Sequence, residues 1–156
     1  MYKLKVKIKK LHQDAVIPKY ATNGSAGFDF HALEDVNIYP GASTVVKTGI
    51  SMEIPSGYEI QVRPRSGLSA KTGIRIANSP GTIDEDFRGE IGIIVENTHI
   101  ITNPVVGQQI EFKPFQIKKG DRIAQGVLCP VFQAEFVEEE LGDTERGQGG
   151  FGHSGV

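Results

Sequence analysis

Tryptophan is absent from this sequence of 156 residues, cysteine occurs once and methionine twice. A single cysteine excludes an intrachain disulfide and agrees with a reducing compartment, so the expected location is the cytoplasm. Cys129 stands in the apolar run Val-Leu-Cys-Pro-Val, where it reads as a small buried hydrophobe. No hydrophobic run is long enough to cross a bilayer, and the first residues carry no apolar leader core, so no membrane partner is expected. The four histidines, His12, His31, His99 and His153, lack the spacing of metal ligands. Charge of one sign is also missing. Seventeen basic residues face nineteen acidic ones, for a net charge of -2, which gives no general attraction to nucleic acid. A helical apolar period nowhere persists for ten residues.

What the chain does have is a succession of short Val- and Ile-rich segments split by turn residues. Tyr2-Lys-Leu-Lys-Val-Lys-Ile-Lys9 alternates apolar residues with lysine, the pattern of a half-buried strand with a solvated face. Residues 36–39, 44–47, 50–54, 58–62, 74–77 and 91–96 predict further strands, as do 109–112, 115–117, 123–130 and 132–136. Strands this short and this evenly spaced indicate an all-β sandwich or barrel in one domain, with a single helical turn near 66–71. The body is expected over residues 1–136. Residues 137–156 follow as an acidic connector and a mobile arm, and 98–114 as a long loop or extra hairpin. The arm carries glycine at 147, 149, 150, 152 and 155, which suits neither helix nor strand.

Several segments carry chemistry. Arg63-Pro-Arg-Ser-Gly-Leu-Ser69 joins a strand to the helical turn, with a guanidinium, a hydroxyl and free N–H groups where an anion could sit. It is equally readable as a capped turn with exposed arginines. The segment 78–90 contains Asp84, Glu85 and Asp86, which cannot all be core. One of them could serve as a general base, or the stretch could be a solvated turn. Asp121 and Arg122 read as a local ion pair, and Gln125 as a structural amide or a phosphate contact. Asp29, between Phe28 and Phe30, could serve a divalent cation directly or through water, or cap a turn. The tail offers Arg146 for phosphate oxygens and Phe151 for a flat ring, though any terminus can also be a solvated tail.

In order along the chain stand Ala26-Gly-Phe-Asp29, Pro64-Arg-Ser-Gly-Leu68, Gly81-Thr-Ile-Asp-Glu-Asp-Phe-Arg-Gly89, Gly120-Asp-Arg-Ile-Ala-Gln125 and Arg146-Gly-Gln-Gly-Gly-Phe-Gly-His-Ser-Gly155. This set resembles the five ordered motifs of the trimeric dUTPase family, over nearly the whole chain. The resemblance implies an all-β, jelly-roll-like barrel assembled as a homotrimer, with shared active sites closed by a glycine-rich C-terminal arm. It implies Mg2+-dependent hydrolysis of dUTP to dUMP and pyrophosphate, by water attack on the α-phosphate. That reaction limits uracil incorporation into DNA and supplies dUMP for thymidylate synthesis.

Matched by motif position, Asp84 is the implied base, and Asp29 the acid that holds Mg2+ through water. Arg65, Ser66, Gly67 and Gln125 are implied phosphate binders. Asn78, Gly81, Thr82, Ile83 and Gly92 belong to the implied uracil-reading hairpin. Phe87 would stand by the deoxyribose where the family commonly has tyrosine, which removes a phenolic hydrogen bond. Arg146, Phe151, Gly152 and Ser154 would close the arm over the ligand, with His153-Ser154 replacing the usual pair of small hydroxyl residues. A deaminase of the same superfamily would need a glutamate beside the base, for which no matching motif is present. A regulatory binding module has no need of Asp84.

Overall fold

The computed structural model describes residues 3–99 and 113–150. In chain order the elements are β1 (Lys7–Lys10), β2 (Phe28–His31), β3 (Val36–Ile38), β4 (Ser43–Lys47), β5 (Ile50–Glu53) and β6 (Tyr58–Arg63). These are followed by α1 (Ser66–Lys71), β7 (Ile74–Ile76), β8 (Gly81–Ile83), β9 (Gly92–Asn97), β10 (Phe115–Ile117) and β11 (Arg122–Pro130). The strands form antiparallel sheets in the orders β2-β11-β6-β8, β4-β9-β7, β1-β5 and β10-β3, and the fold is all-β and jelly-roll-like. The single helical turn falls where the sequence predicts it.

Alternation explains the arrangement. In β6, Ile60 and Val62 point into the core while Glu59, Gln61 and Arg63 take the opposite face, and β2 buries Phe28 and Phe30 while presenting Asp29 and His31 outward. β9 buries Ile93 and Val95 in the same manner. These side chains meet Val46, Ile38, Ile117 and Ala124 in one core. Asn97 is buried with them, and its amide donates to the Ile38 carbonyl at 3.0 Å, so its desolvation is compensated.

The structure departs from the sequence reading in places. The lysine-rich segment is a strand only over Lys7–Lys10. Its partner β5 ends at Glu53, paired with Lys7, and Pro55 follows two residues on. Its lysines are nevertheless exposed, as the alternation requires, and Lys7 reaches Glu53 at 2.6 Å. β2 and β8 were not legible, because three or four residues containing Asp or Gly give too short an alternation. Residues 132–136 form no ladder among the described residues, and Phe132 and Phe136 are 93% and 94% exposed. Cys129 is half-buried, since β11 turns it to the face opposite the core. The expected strand at 109–112 and most of the loop 98–114 lie outside the described residues.

Ile60 is fully buried and central to the largest sheet, so Ile60→Ala leaves a cavity. It should cost about 2–5 kcal/mol, read as a lower urea midpoint at unchanged m-value.

Candidate active site

Two clusters occupy the outward face of the β2-β11-β6-β8 sheet. The first is built around Asp29. β2 pairs with β11 so that Asp29 stands opposite Gln125, and Gln125 stands opposite Arg63 of β6. Arg65, at the N-terminal boundary of α1, donates from Nε to Asp29 Oδ1 at 2.8 Å, and a second guanidinium N–H reaches the Arg122 carbonyl at 3.1 Å. Arg122 approaches the other oxygen of Asp29 at 3.3 Å. The Asp29 side chain is only 16% exposed, so this clamp is a partly desolvated one and fixes both guanidiniums in place. Among the described residues two of the five N–H donors of Arg65 are used, which leaves others that could meet an anion.

Gln125 donates to the Pro64 carbonyl at 2.9 Å, which ties β11 to the segment that presents Arg65. Its amide fits because residue 27 is glycine: a Cβ there would stand 2.5 Å from the Gln125 oxygen. Ser66 and Gly67 open α1, where backbone N–H groups have no intrahelical acceptor, and the space above Gly67 is clear within this chain.

His31 is the neighbour of this cluster, opposite Arg122 in the ladder. Its Nδ1 is buried without a hydrogen-bond partner among the described residues. Burial lowers its pKa, the Asp29 carboxylate opposes that, and the Arg122 and Arg65 charges add to it.

The second cluster is the turn after β8. Continuing the β6–β8 register one step past Ile83 sets Asp84 beside Glu59. Asp84 is exposed and lines a cavity of about 640 Å³ with Glu59, Glu85, Asp86, Tyr58 and Gln133. The Phe87 N–H donates to the Asp84 carbonyl at 3.2 Å, and the Arg88 guanidinium caps the carbonyls of Glu85 and Phe87. Phe87 is 44% exposed. Asn78 lies against Gly81, where a Cβ would stand 3.1 Å from its Nδ2, so the turn into β8 and the strand itself are packed together. Thr82 points outward and Ile83 inward.

The remaining expected residues are placed differently. Gly92 opens β9, and a Cβ there would stand 2.5 Å from the Val45 side chain of β4. Arg146 lies in a run of turns, donating to the Gly149 carbonyl at 2.8 Å. Phe151, Gly152 and Ser154 lie outside the described residues. Arg122 does not pair with Asp121, whose carboxylate accepts the Lys118 N–H at 2.8 Å; it reaches across the sheet to Asp29. Neither Arg122 nor His31 was singled out from sequence as part of this cluster, and residues 93 positions apart give no local signal of contact.

No group of three or more metal-ligating side chains occurs among the described residues. Both Asp29 oxygens face guanidiniums, so Asp29 is not set to bind a cation directly. Its remaining lone pairs could accept from water. Among the described residues no helix is long and apolar enough to cross a membrane.

The fold defines a class, the all-β, jelly-roll-like proteins. A family model for dUTPase matches residues 13–155. The deoxyuridine 5'-triphosphate nucleotidohydrolase of Nautilia profundicola is 52% identical over 153 residues, covering 97% of this chain and 99% of the relative. The Staphylococcus bacteriophage 80alpha dUTPase, solved with dUpNHpp, superposes with a TM-score of 0.85 at 32% identity, over 99% of this chain and 100% of that one. A mutant dUTPase from phage phi11 of S. aureus, solved with a structural Mg(II) ion, gives a TM-score of 0.78 at 28% identity over 88% of this chain and 98% of that one. This chain belongs to the dUTPase family and is a dUTP-hydrolysing enzyme.

A neutral ring favoured by burial has a consequence for stability. The unfolded chain protonates His31 at a higher pH than the folded one, so its contribution is complete above the unfolded pKa of about 6.5 and declines below it. Urea unfolding at pH 7.5 and 5.5 should show a smaller loss of stability in His31→Gln than in the wild type. Equal losses would remove His31 as the cause.

Proposed function

We propose that the enzyme acts as a homotrimer whose active sites each combine the two clusters from different copies. The observation that carries this reading is the distance along β6. The row holding Asp84 and the row holding Gln125 are four residues apart on that strand, about 13 Å, and Arg65 lies farther on. A base must come within hydrogen-bond reach of the water it activates, directly or through one more water. Groups that hold the same phosphate cannot stand so far from it, so Asp84 of one copy must meet Arg65 of another.

In this arrangement Asp84 takes a proton from the water that attacks the α-phosphorus of dUTP. Arg65, Ser66, Gly67 and Gln125 hold phosphate oxygens and stabilise the charge that develops on them. Asn78 and the backbone of Gly81, Thr82, Ile83 and Gly92 read uracil, and Phe87 lies by the deoxyribose and excludes a 2′-hydroxyl sterically. Arg146, Phe151, Gly152 and Ser154 of an arm close the site, the single domain dividing into a body at 1–136 and a connector and arm at 137–156.

Mg2+, when bound, supplies charge neutralisation of the triphosphate, with Asp29 holding it through water. Both Asp29 oxygens face guanidiniums while lone pairs remain for water, which supports this outer-shell role. The products are dUMP and pyrophosphate. Their formation in the cytoplasm removes dUTP from the precursors of DNA and provides dUMP for thymidylate synthesis.

The test is complementation. Asp84→Asn and Arg65→Ala should each lose hydrolysis, Asp84→Asn by roughly 10²–10⁴-fold. Co-refolded mixtures should regain activity, because some sites combine an intact Asp84 with an intact Arg65. Mixtures as inactive as the separate variants would sink the shared site. Chelation of divalent ions should abolish pyrophosphate release from dUTP, and added Mg2+ should restore it; turnover unaffected by chelation would contradict the metal role.

A further inference from the structure

Of the three acids at 84–86, Glu85 is the one whose carboxylate accepts hydrogen bonds within the described chain. One oxygen takes the Gly57 N–H and the other the Ser56 hydroxyl, at 3.2 Å. Both donors belong to the turn between β5 and β6, where Gly57 has φ of +80°, a conformation that L side chains rarely adopt. The Gly57 carbonyl in turn accepts the Val131 N–H at 2.9 Å, so this glycine is held at both of its polar groups. The half-buried Glu85 therefore braces the acidic turn against a fixed point on the neighbouring turn. It does so from the position next to Asp84. The other side-chain bonds of the loop, from Arg88 to the Glu85 and Phe87 carbonyls and from Ser51 to the Arg88 carbonyl, lie farther along the chain.

We propose that Glu85 is a positioning residue: its carboxylate, by gripping the Gly57 N–H and Ser56 hydroxyl, fixes where Asp84 meets the attacking water. This rests on the reading of Asp84 as the base. Asp84 itself is exposed and has no hydrogen-bonded side-chain partner in the described chain, so its placement depends on the backbone that carries it. A displacement of about 1 Å at a reacting group can cost on the order of 10²-fold in rate.

Reach and charge can be separated by two substitutions in the full-length chain. Glu85→Asp keeps the charge but is too short by one methylene to grip Gly57. Glu85→Gln loses the charge but keeps an oxygen for the Gly57 N–H and an amide that can donate to Ser56. With pyrophosphate release from dUTP as the assay, Glu85→Asp should lower kcat by roughly tenfold or more with KM within about threefold. Glu85→Gln should stay within about threefold of the wild-type kcat, and both should keep near-wild-type thermal midpoints. Wild-type kcat in Glu85→Asp, a loss confined to KM, or a Glu85→Gln as slow as Glu85→Asp would each overturn the proposal. An active Asp84→Asn would instead remove the base it serves.

Discussion

The register of β6 between β11 and β8 is the constraint on which the rest depends. Side chains alternate along a strand, so a slip of one residue would send Gln125, Thr82 and Asp29 inward and Phe28, Ile60 and Ile83 into solvent. Packing holds the register. Gly126 sits where a Cβ would stand 2.5–2.8 Å from the rings of Phe28 and Phe30, so only a bare backbone fits between β2 and β6 at that rung. The same two rings meet edge to face at 5.4 Å, which anchors β2 from inside while its other face carries Asp29. Core and site are the two faces of one sheet and cannot be specified separately.

That outward face is electrically organised before any ligand arrives. Asp29 draws Arg65 and Arg122 together, and without it two guanidiniums would repel each other there. The pair has limited value for stability, since partly buried ions give up hydration that their attraction must offset. Its value is placement. In the proposed role of Arg65, a phosphate would find a donor already fixed in direction, so less side-chain entropy would be lost on binding than for a free surface arginine. Between the clusters, Arg63 donates to Gln61 at 2.7 Å and Gln61 to Glu59 at 2.7 Å, so a polar row continues along β6 toward Asp84.

How much of this the sequence disclosed follows the range of the interactions involved. Strands with five or more residues of Val- and Ile-rich alternation, such as β6 and β9, were legible because the pattern repeats enough to exclude a helix. β8 was not, since Gly-Thr-Ile has one clear apolar residue and becomes a strand only through its ladder with β6. Asp84 and Arg65 stood out through motif order, not through any local property. The Arg122–Asp29 contact was hidden by a nearer candidate, Asp121, which the structure spends on the Lys118 amide to close its own turn. Sequence proximity favours that local pairing only where the backbone lets the two side chains face each other. A bulge in β11 between Arg122 and Ala124 brings Arg122 opposite His31, on the face of Asp29.

The segment beyond β11 shows where a single chain falls short. The alternation at 132–136 is that of a strand, yet in one copy Phe132, Phe136 and, farther on, Leu141 are each more than 90% exposed. Burying a side chain of this size is worth roughly 1.5–3 kcal/mol, so three of them left in water forgo several. Scattered exposed apolar residues are ordinary, but three on one stretch that joins no ladder among the described residues form a surface suited to a partner. The root of this stretch is tied to the body by the Val131 N–H, which donates to the Gly57 carbonyl on the turn that Glu85 grips. In one copy Asp84 and the Gln125 row stand about 13 Å apart, and the large apolar side chains beyond β11 are exposed; the association of copies proposed above would answer both. The separation of the two clusters and the exposed side chains are thus independent physical arguments for the proposed assembly.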